Sequence, residues 1–319
     1  MTDTGDLDYD ILQQKLNEYR NYNSLKVCAI SAGSNLTGIM FDVDRISVMC
    51  HKADFVVCFD YAAVCPYTDI NFNGITKHYQ SSFMQIAEED LKYAYKDAMF
   101  ISPHKLVGGP GSSGLLIAKR DVMKSWRPQR LGGGIVFFVN GKDHEFIADK
   151  EEREESGTPG IIQDIRAGLV FQLKEAVGAK TIIQKEEEFN EKIMNRLQNI
   201  ENLILLGNNN LVKAAIYSFH IKSRGGKLLH PNFVVNLLND LFGIQTRAGC
   251  QCSPMQGQSI LGIDVKTTRE MKDALMNGYG ILRVGFTRIN FNYFADEKEL
   301  DYILNALEFI CKYGWMLLP

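Results

Sequence analysis

No apolar run in this chain approaches the ~18 residues that a membrane-spanning helix needs. The longest such stretches are strand-length, so insertion into a bilayer is set aside. Charge of one sign is also lacking. The formal net charge is −3, without the concentrated basic surface that nucleic acid or an anionic membrane rewards, so a small or uncharged partner is expected. The pattern offers no disulfide framework either. Seven cysteines, an odd number, are scattered over 319 residues behind the polar opening MTDTGDLDYD, which fits neither secretion nor a targeting peptide. A reducing compartment, the cytoplasm, is the expectation. Internal repeats and low-complexity segments are missing. No second C-x-x-C or His pair stands near Cys250 and Cys252 to complete four zinc ligands, and no metal is expected.

What is present is an ordinary globular composition, 45% hydrophobic and 23% charged, sufficient for one large core or two smaller ones. Residues 27–32 and 55–60 are short apolar runs that each end in polar residues. Between them, Ile46, Met49 and Cys50 have helical spacing over Val43 to Lys52. Strand, helix, strand with apolar strands is the pattern of a parallel sheet covered by helices. Functional groups of such sheets collect at the carboxyl ends of strands, where Asn35 and Asp60 fall. Residues 71–96 read as a polar surface excursion. Strands are expected again at Ala98–Ile101 and Gly114–Ala118, then a long connecting helix from Ile161 to about Ile200 on the spacing of Ile162, Ile165, Leu169 and Leu173. A strand at 213–221, a helix at 231–242, a strand near 281–288 and a final helix capped by Asp296 make the rest α+β. Residues 1–26 resemble an amphipathic helix leading into the first strand.

The most specific segment is SPHKLVGGPGSSGLL. Lys105 lies at a strand end beside a histidine, on a glycine-rich loop where its amine can be partly desolvated and deprotonated. Such a lysine can form a Schiff base with an aldehyde cofactor, the alternative being a solvated loop lysine. The run from Gly109 to Gly114 satisfies G-x-G-x-x-G, but a dinucleotide fingerprint opens a helix and here Leu115-Leu116-Ile117 reads as strand, which excludes that reading. Asp60 closes an apolar strand. If buried there it needs a cationic partner such as a pyridinium nitrogen, and otherwise it is a turn or cap residue.

In chain order the sequence shows Ser34-Asn35-Leu36-Thr37-Gly38, the aspartate of FDYAA, Ser102-Pro103-His104-Lys105 with its glycine loop, and Gly132-Gly133-Gly134. Glu155-Ser156-Gly157-Thr158-Pro159, Arg247-Ala248-Gly249-Cys250-Gln251-Cys252 and Arg288 in TRINFNYF follow. In this order, from about Val27 to the end, the chain resembles the class V aminotransferases, a family that includes cysteine desulfurases and selenocysteine lyases. The resemblance implies an α/β fold, type I of the pyridoxal-5′-phosphate (PLP) enzymes, normally a homodimer. A mostly parallel sheet would form a large PLP-binding domain over residues 1–165, with the connecting helix and a smaller α+β domain over 166–319. It also implies roles. Lys105 would bind the cofactor covalently and carry protons, Asp60 would hold the ring nitrogen protonated, and Ser102 and His104 would bond the phosphate. Asn35 would contact the ring oxygen, and Arg288 would clamp a substrate carboxylate, its alternative being a surface ion pair. Cys252, with the spacing R-x-G-x-x-C, would be a thiolate nucleophile that takes sulfur from cysteine, with Cys250 the other candidate for that role. The alternative for the pair is two reduced, packed thiols.

The sequence also departs from the family. Members usually place well over a hundred residues before the Asn35 region, including a phosphate loop and a ring-stacking side chain, whereas thirty-four precede it here. The chain therefore reads as amino-terminally incomplete. Ala63 stands where a glutamine is usual and Ile135 where a threonine is common, and the loop after Cys252 continues as SPMQGQ. Two readings follow: a PLP enzyme acting on an amino acid, desulfurase-like, or an impaired paralog that keeps the fold and serves as a dimer partner.

Overall fold

The computed structural model describes residues 1–76, 83 and 85–318. Contacts divide the chain into two compact units, one of residues 13–32 and 42–179, the other of residues 1–12, 33–41 and 180–319. Helix α1 (Tyr9–Tyr19) occupies only part of the expected amino-terminal helix and buries a single residue, Leu16.

In the unit of residues 13–32 and 42–179, β1 (Val27–Ser31), β2 (Val56–Asp60) and β3 (Ala98–Ile101) are parallel, and β4 (Leu115–Ala118) closes the sheet antiparallel to β3. Helix α2 (Val43–Lys52) is the predicted crossover. Asp42 caps it by accepting the Arg45 N–H, and Ile46 and Cys50 are fully buried. Register decides which sheet face is filled. Val57, Phe59 and Met99 are buried on one face, whereas Val27, Ala29 and Ser31 on β1, Asp60 on β2, Phe100 on β3 and Leu116 on β4 are exposed on the other. After β4 come the exposed hairpin β5 (Val136–Val139) and β6 (His144–Phe146), the short helix α3 (Lys150–Glu154), and α4 (Ile161–Val177). The predicted helix from Ile161 to about Ile200 is corrected here. It breaks at Gly178, whose φ of 85° leaves the helical region, and resumes as α5 (Ala179–Leu197).

The 71–96 excursion lies in part, residues 77–82 and 84, outside the described residues. Its far end is not surface. Lys96 is fully buried, and its ammonium donates to Asp44 Oδ1 (2.5 Å), Gly74 O (2.7 Å) and Ala94 O (3.0 Å), while Asp44 Oδ2 accepts the Thr76 N–H at 2.7 Å. His51 is likewise structural, bonding Asp97 at 2.8 Å and the Tyr93 carbonyl at 2.7 Å while stacking on Tyr95.

The other unit is built on an antiparallel sheet of order β7 (Leu203–Leu205), β8 (Ile216–Ile221), β10 (Phe286–Asn290), β9 (Arg247–Gly249). Its core joins Tyr217, Phe219 and Ile289 of the sheet, and Phe291 just beyond β10, to Ile193 of α5, Val234 and Leu238 of α6 (Pro231–Phe242), and Leu304 and Leu307 of α9 (Glu297–Tyr313). Asp296 caps α9 through a full capping box with Glu299. The strand expected near 281–288 begins only at Phe286, because Gly280–Leu282 turns as a 3₁₀ segment after α7 (Pro254–Ile260) and α8 (Val265–Met276). Strand β8 is buried on both faces, since segment 33–41 lies along it. Ser218 Oγ donates to Leu36 O (2.6 Å), Ala214 N–H to Gly38 O (2.9 Å) and Met40 N–H to Val212 O (2.9 Å). Gly38 is required there, at φ 75° with a Cβ position 2.5 Å from Ala214 O.

Candidate functional site

The predicted residues fall into two groups, one per unit. Asp60, Ser102, His104 and Lys105 belong to the parallel-sheet unit, while Asn35, Cys250, Cys252 and Arg288 belong to the other. Asn35 follows the carboxyl end of β1 (Val27–Ser31), as the strand-end reading expects, and segment 33–41 hydrogen-bonds along β8.

In the first group, Asp60 ends β2 and pairs with Phe100 of β3, so its carboxylate and the loop after β3 stand at the carboxyl ends of adjacent parallel strands, about 4.8 Å apart as such strands are. Asp60 is exposed, with Oδ1 accepting the Ala62 N–H at 2.8 Å. Of the two readings of Asp60, this bond to the residue two positions on is that of a turn residue, not of a buried carboxylate. The side chain lies on the open face of the sheet. Beyond β3, Ser102 leads into a single 3₁₀ turn, Pro103–Lys105, closed by the Lys105 N–H on Ser102 O (3.0 Å) and anchored by buried Leu106. His104 and Lys105 are exposed on it and Ser102 is half-buried.

The glycines after the lysine are dictated by close approach. A Cβ on Gly109 would lie 2.0 Å from Pro103 O, and Gly108 and Gly111 have φ of 79° and 84°. Helix α4 holds the loop from behind, Arg166 donating to Pro110 O (2.5 Å) and Gln163 O accepting the Ser113 N–H (3.3 Å). The loop runs into strand β4 and opens no helix, as expected when the dinucleotide reading was excluded. Ile135 is buried with 1% exposure and fills core space.

In the second group, β9 delivers the turn Cys250-Gln251-Cys252. Arg247 donates to Cys252 Sγ at 3.9 Å, and Cys252 is exposed. Cys250 is half-buried, its S–H donates to Val284 O at 3.6 Å, and burial pushes its pKa up. Arg288 of β10 sits opposite Arg247 in the ladder and donates to Asn35 O at 2.9 Å. Asn35 is half-buried, and its Oδ1 accepts the Ser253 hydroxyl at 2.8 Å. Two tight contacts hold this turn. A Cβ on Gly285 would come within 2.3 Å of Gly249 Cα, and one on Gly257 of α7 within 3.0 Å of Cys250 Cβ.

Sequence reasoning missed Ser253 and Gln251. Gln251 adopts φ 57°, and its side-chain amide donates back to Arg247 O (3.4 Å) and Gly249 O (3.3 Å). No sequence signal announces this, since glycine, asparagine and aspartate are the residues favoured in that region.

Among the described residues no helix is long and apolar enough to cross a membrane. The family profile "Aminotransferase class-V" matches residues 1–77 and 80–303. A probable cysteine desulfurase of Staphylococcus epidermidis is 26% identical over 308 residues, covering 97% of this chain and 62% of its own length. The solved apo cysteine desulfurase of Thermococcus onnurineus superposes with a TM-score of 0.74 at 22% identity, covering 98% of this chain and 65% of that one. A cysteine desulfurase of Escherichia coli does so with a TM-score of 0.65 at 20% identity over 92% and 60%. The fold is therefore the α/β fold, type I, that these enzymes share, and the chain spans about three-fifths of the length of the curated relatives it matches. With its motifs in family order and the family profile matched over most of its residues, this chain belongs to the class V aminotransferase family.

Proposed function

We propose that this chain holds pyridoxal phosphate on Lys105 and takes sulfur from cysteine onto Cys252, as a desulfurase-like member of its family. The observation that carries the reading is the placement of Lys105 and Asp60 at the ends of adjacent parallel strands, both exposed. The donor set there fits the group. A carboxylate suits a pyridinium nitrogen, an amine suits an aldehyde, and the Ser102 hydroxyl with the His104 imidazole suits a phosphate. When bound, the cofactor supplies an electron sink for the substrate's α-carbon.

The chain's own residues do the rest. Asp60 keeps a proton on the ring nitrogen by charge, and Lys105 Nζ moves the substrate's α-proton. Arg288, aimed by its bond to Asn35 O, receives the substrate carboxylate. Cys252 accepts the sulfur, with the Arg247 guanidinium donating to its Sγ. Cysteine plus the thiol gives alanine plus a persulfide on Cys252, so atoms and electrons balance. We place the protein in the cytoplasm as a homodimer acting on a small amino acid, with the cofactor-binding part in residues 1–165. The test is borohydride reduction of the protein incubated with cofactor, followed by peptide mapping. A pyridoxyl group on Lys105, with sulfur release from cysteine lost in Cys252→Ala, is the expected result. An unmodified Lys105 sinks the reading and favours the fold-retaining paralog that acts only as a dimer partner.

A further inference from the structure

Two thiols share one turn, and their surroundings differ in kind. Cys252 is exposed beside a guanidinium. Cys250 is half-buried, tethered to the Val284 carbonyl and packed against α7, where Gly257 leaves it room that a Cβ would take. The residue between them is held in the left-handed region, where a glutamine is strained, and its own side chain staples the turn shut on Arg247 O and Gly249 O. The turn thus carries, one residue apart, an exposed thiol open to attack and a sheltered thiol beside it in sequence, and thiol–disulfide exchange needs an attacked sulfur and a neighbouring attacking thiol.

We propose that Cys250 is the resolving thiol for sulfur carried on Cys252. The inference rests on the reading of Cys252 as sulfur acceptor. Cys250 Sγ attacks Cys252 Sγ, the bond from Cys252 Sγ to the outer sulfur breaks, and a Cys250–Cys252 disulfide forms. The outer sulfur leaves with the bonding electron pair as hydrosulfide and takes up the proton that Cys250 releases. Two thiol sulfurs are oxidised and one sulfane sulfur is reduced to sulfide, so the electrons balance. A small dithiol returns the pair to its reduced state. By this step the chain releases sulfide without a second protein to accept the persulfide.

The step is tested without cofactor or cysteine, which separates it from the parent reading. Dipyridyl disulfide serves as the probe, its thiopyridine standing for the departing hydrosulfide. The folded protein is treated, quenched in acid and digested with trypsin. Both cysteines then lie in the peptide Ala248–Lys266. In the wild type this peptide is expected lighter by two hydrogens, as an internal disulfide with no thiopyridyl group retained. Cys250→Ser should keep the thiopyridyl group on Cys252, with loss slower than in the wild type by more than roughly tenfold, as for exchange without a neighbouring thiol. A wild type that accumulates thiopyridyl-Cys252 with Cys250 still reduced overturns the proposal. Cys252→Ser protein in which Cys250 is labelled as fast as Cys252 is in the Cys250→Ser variant also overturns it, because the order of attack would then be wrong.

Discussion

Glu186 of α5 is 1% exposed, and one oxygen, Oε2, accepts the Ala215 N–H at 2.8 Å. The other oxygen, Oε1, is buried and has no hydrogen-bond partner among the described residues. Burial outweighs the single backbone bond and pushes the pKa from 4.5 up to about 7. The sign follows from proton counting. Between those values the folded state binds a proton that the unfolded chain has lost, so stability is present at low pH and declines as pH rises through the window. The interval corresponds to about 3 kcal/mol at completion. Glu186→Gln cannot ionise and still offers an oxygen to Ala215, but it buries an amide donor that costs about 1 kcal/mol. The variant should therefore match or slightly trail the wild type at pH 4 and exceed it by about 2 kcal/mol at pH 8. The assay is urea unfolding in a Trp126→Phe background, which leaves Trp315 as the sole tryptophan, reporting on the core that contains α5 and α9. Other groups titrate equally in both proteins and cancel in the difference. If the difference between variant and wild type does not change from pH 4 to pH 8, Glu186 is not a buried acid and the reasoning fails.

Lys213 gives the opposite limb. Buried with Nζ 4.0 Å from the Tyr217 ring centroid, it has its pKa pushed down to about 7, so the unfolded chain binds the extra proton and stability rises with pH above 7. Relative to Lys213→Met, the wild type should gain up to about 4 kcal/mol between pH 7 and 10 in the same urea assay, and parallel curves would refute this. Lys96→Met should cost about 3–5 kcal/mol in thermal unfolding by stranding the Asp44 carboxylate, and adding Asp44→Asn should recover part of the loss. Recovery of nothing would show that the pair is not coupled. Gly109→Ala forces a Cβ to within 2.0 Å of a carbonyl oxygen and should cost about 2 kcal/mol or more, while lowering pyridoxyl labelling of Lys105 after borohydride reduction. Unchanged labelling would mean that the loop does not position the lysine.

The parallel half of the fold was legible because its signals are local and redundant. The apolar runs of β1 and β2, the helical spacing of α2 and the strand after the glycine loop each follow from side-chain period and turn chemistry. The helix break at Gly178 was not legible. A lone glycine in a helical pattern is tolerated as often as it terminates, and only the tertiary course of the chain chose φ 85° there. Nor was Lys96. Its burial depends on Asp44, fifty-two positions away, and on two carbonyls that no spacing rule brings together.

The candidate site divides along the same line. Lys105, Ser102 and His104 were legible as a loop because their glycines are required by approaches within a few residues, Gly109 against Pro103 above all. Asp60 was legible as a position but not as an environment. An apolar strand argues for a buried terminus only when both faces of the sheet are covered, and here the face that carries Asp60 also exposes Val27, Phe100 and Leu116. That openness bears on chemistry. A pyridinium would have to be held there against competing water, and the attraction between two opposite charges is weak at high dielectric. Whatever shields this face strengthens the Asp60 interaction without touching Asp60, whereas the Arg247–Cys252 turn depends only on bonds inside its own unit. Thiol chemistry on Cys250 and Cys252 should therefore survive changes to the sheet face that weaken cofactor retention. The dipyridyl disulfide and borohydride readouts should separate in a Phe100→Glu variant, with the first intact and the second reduced.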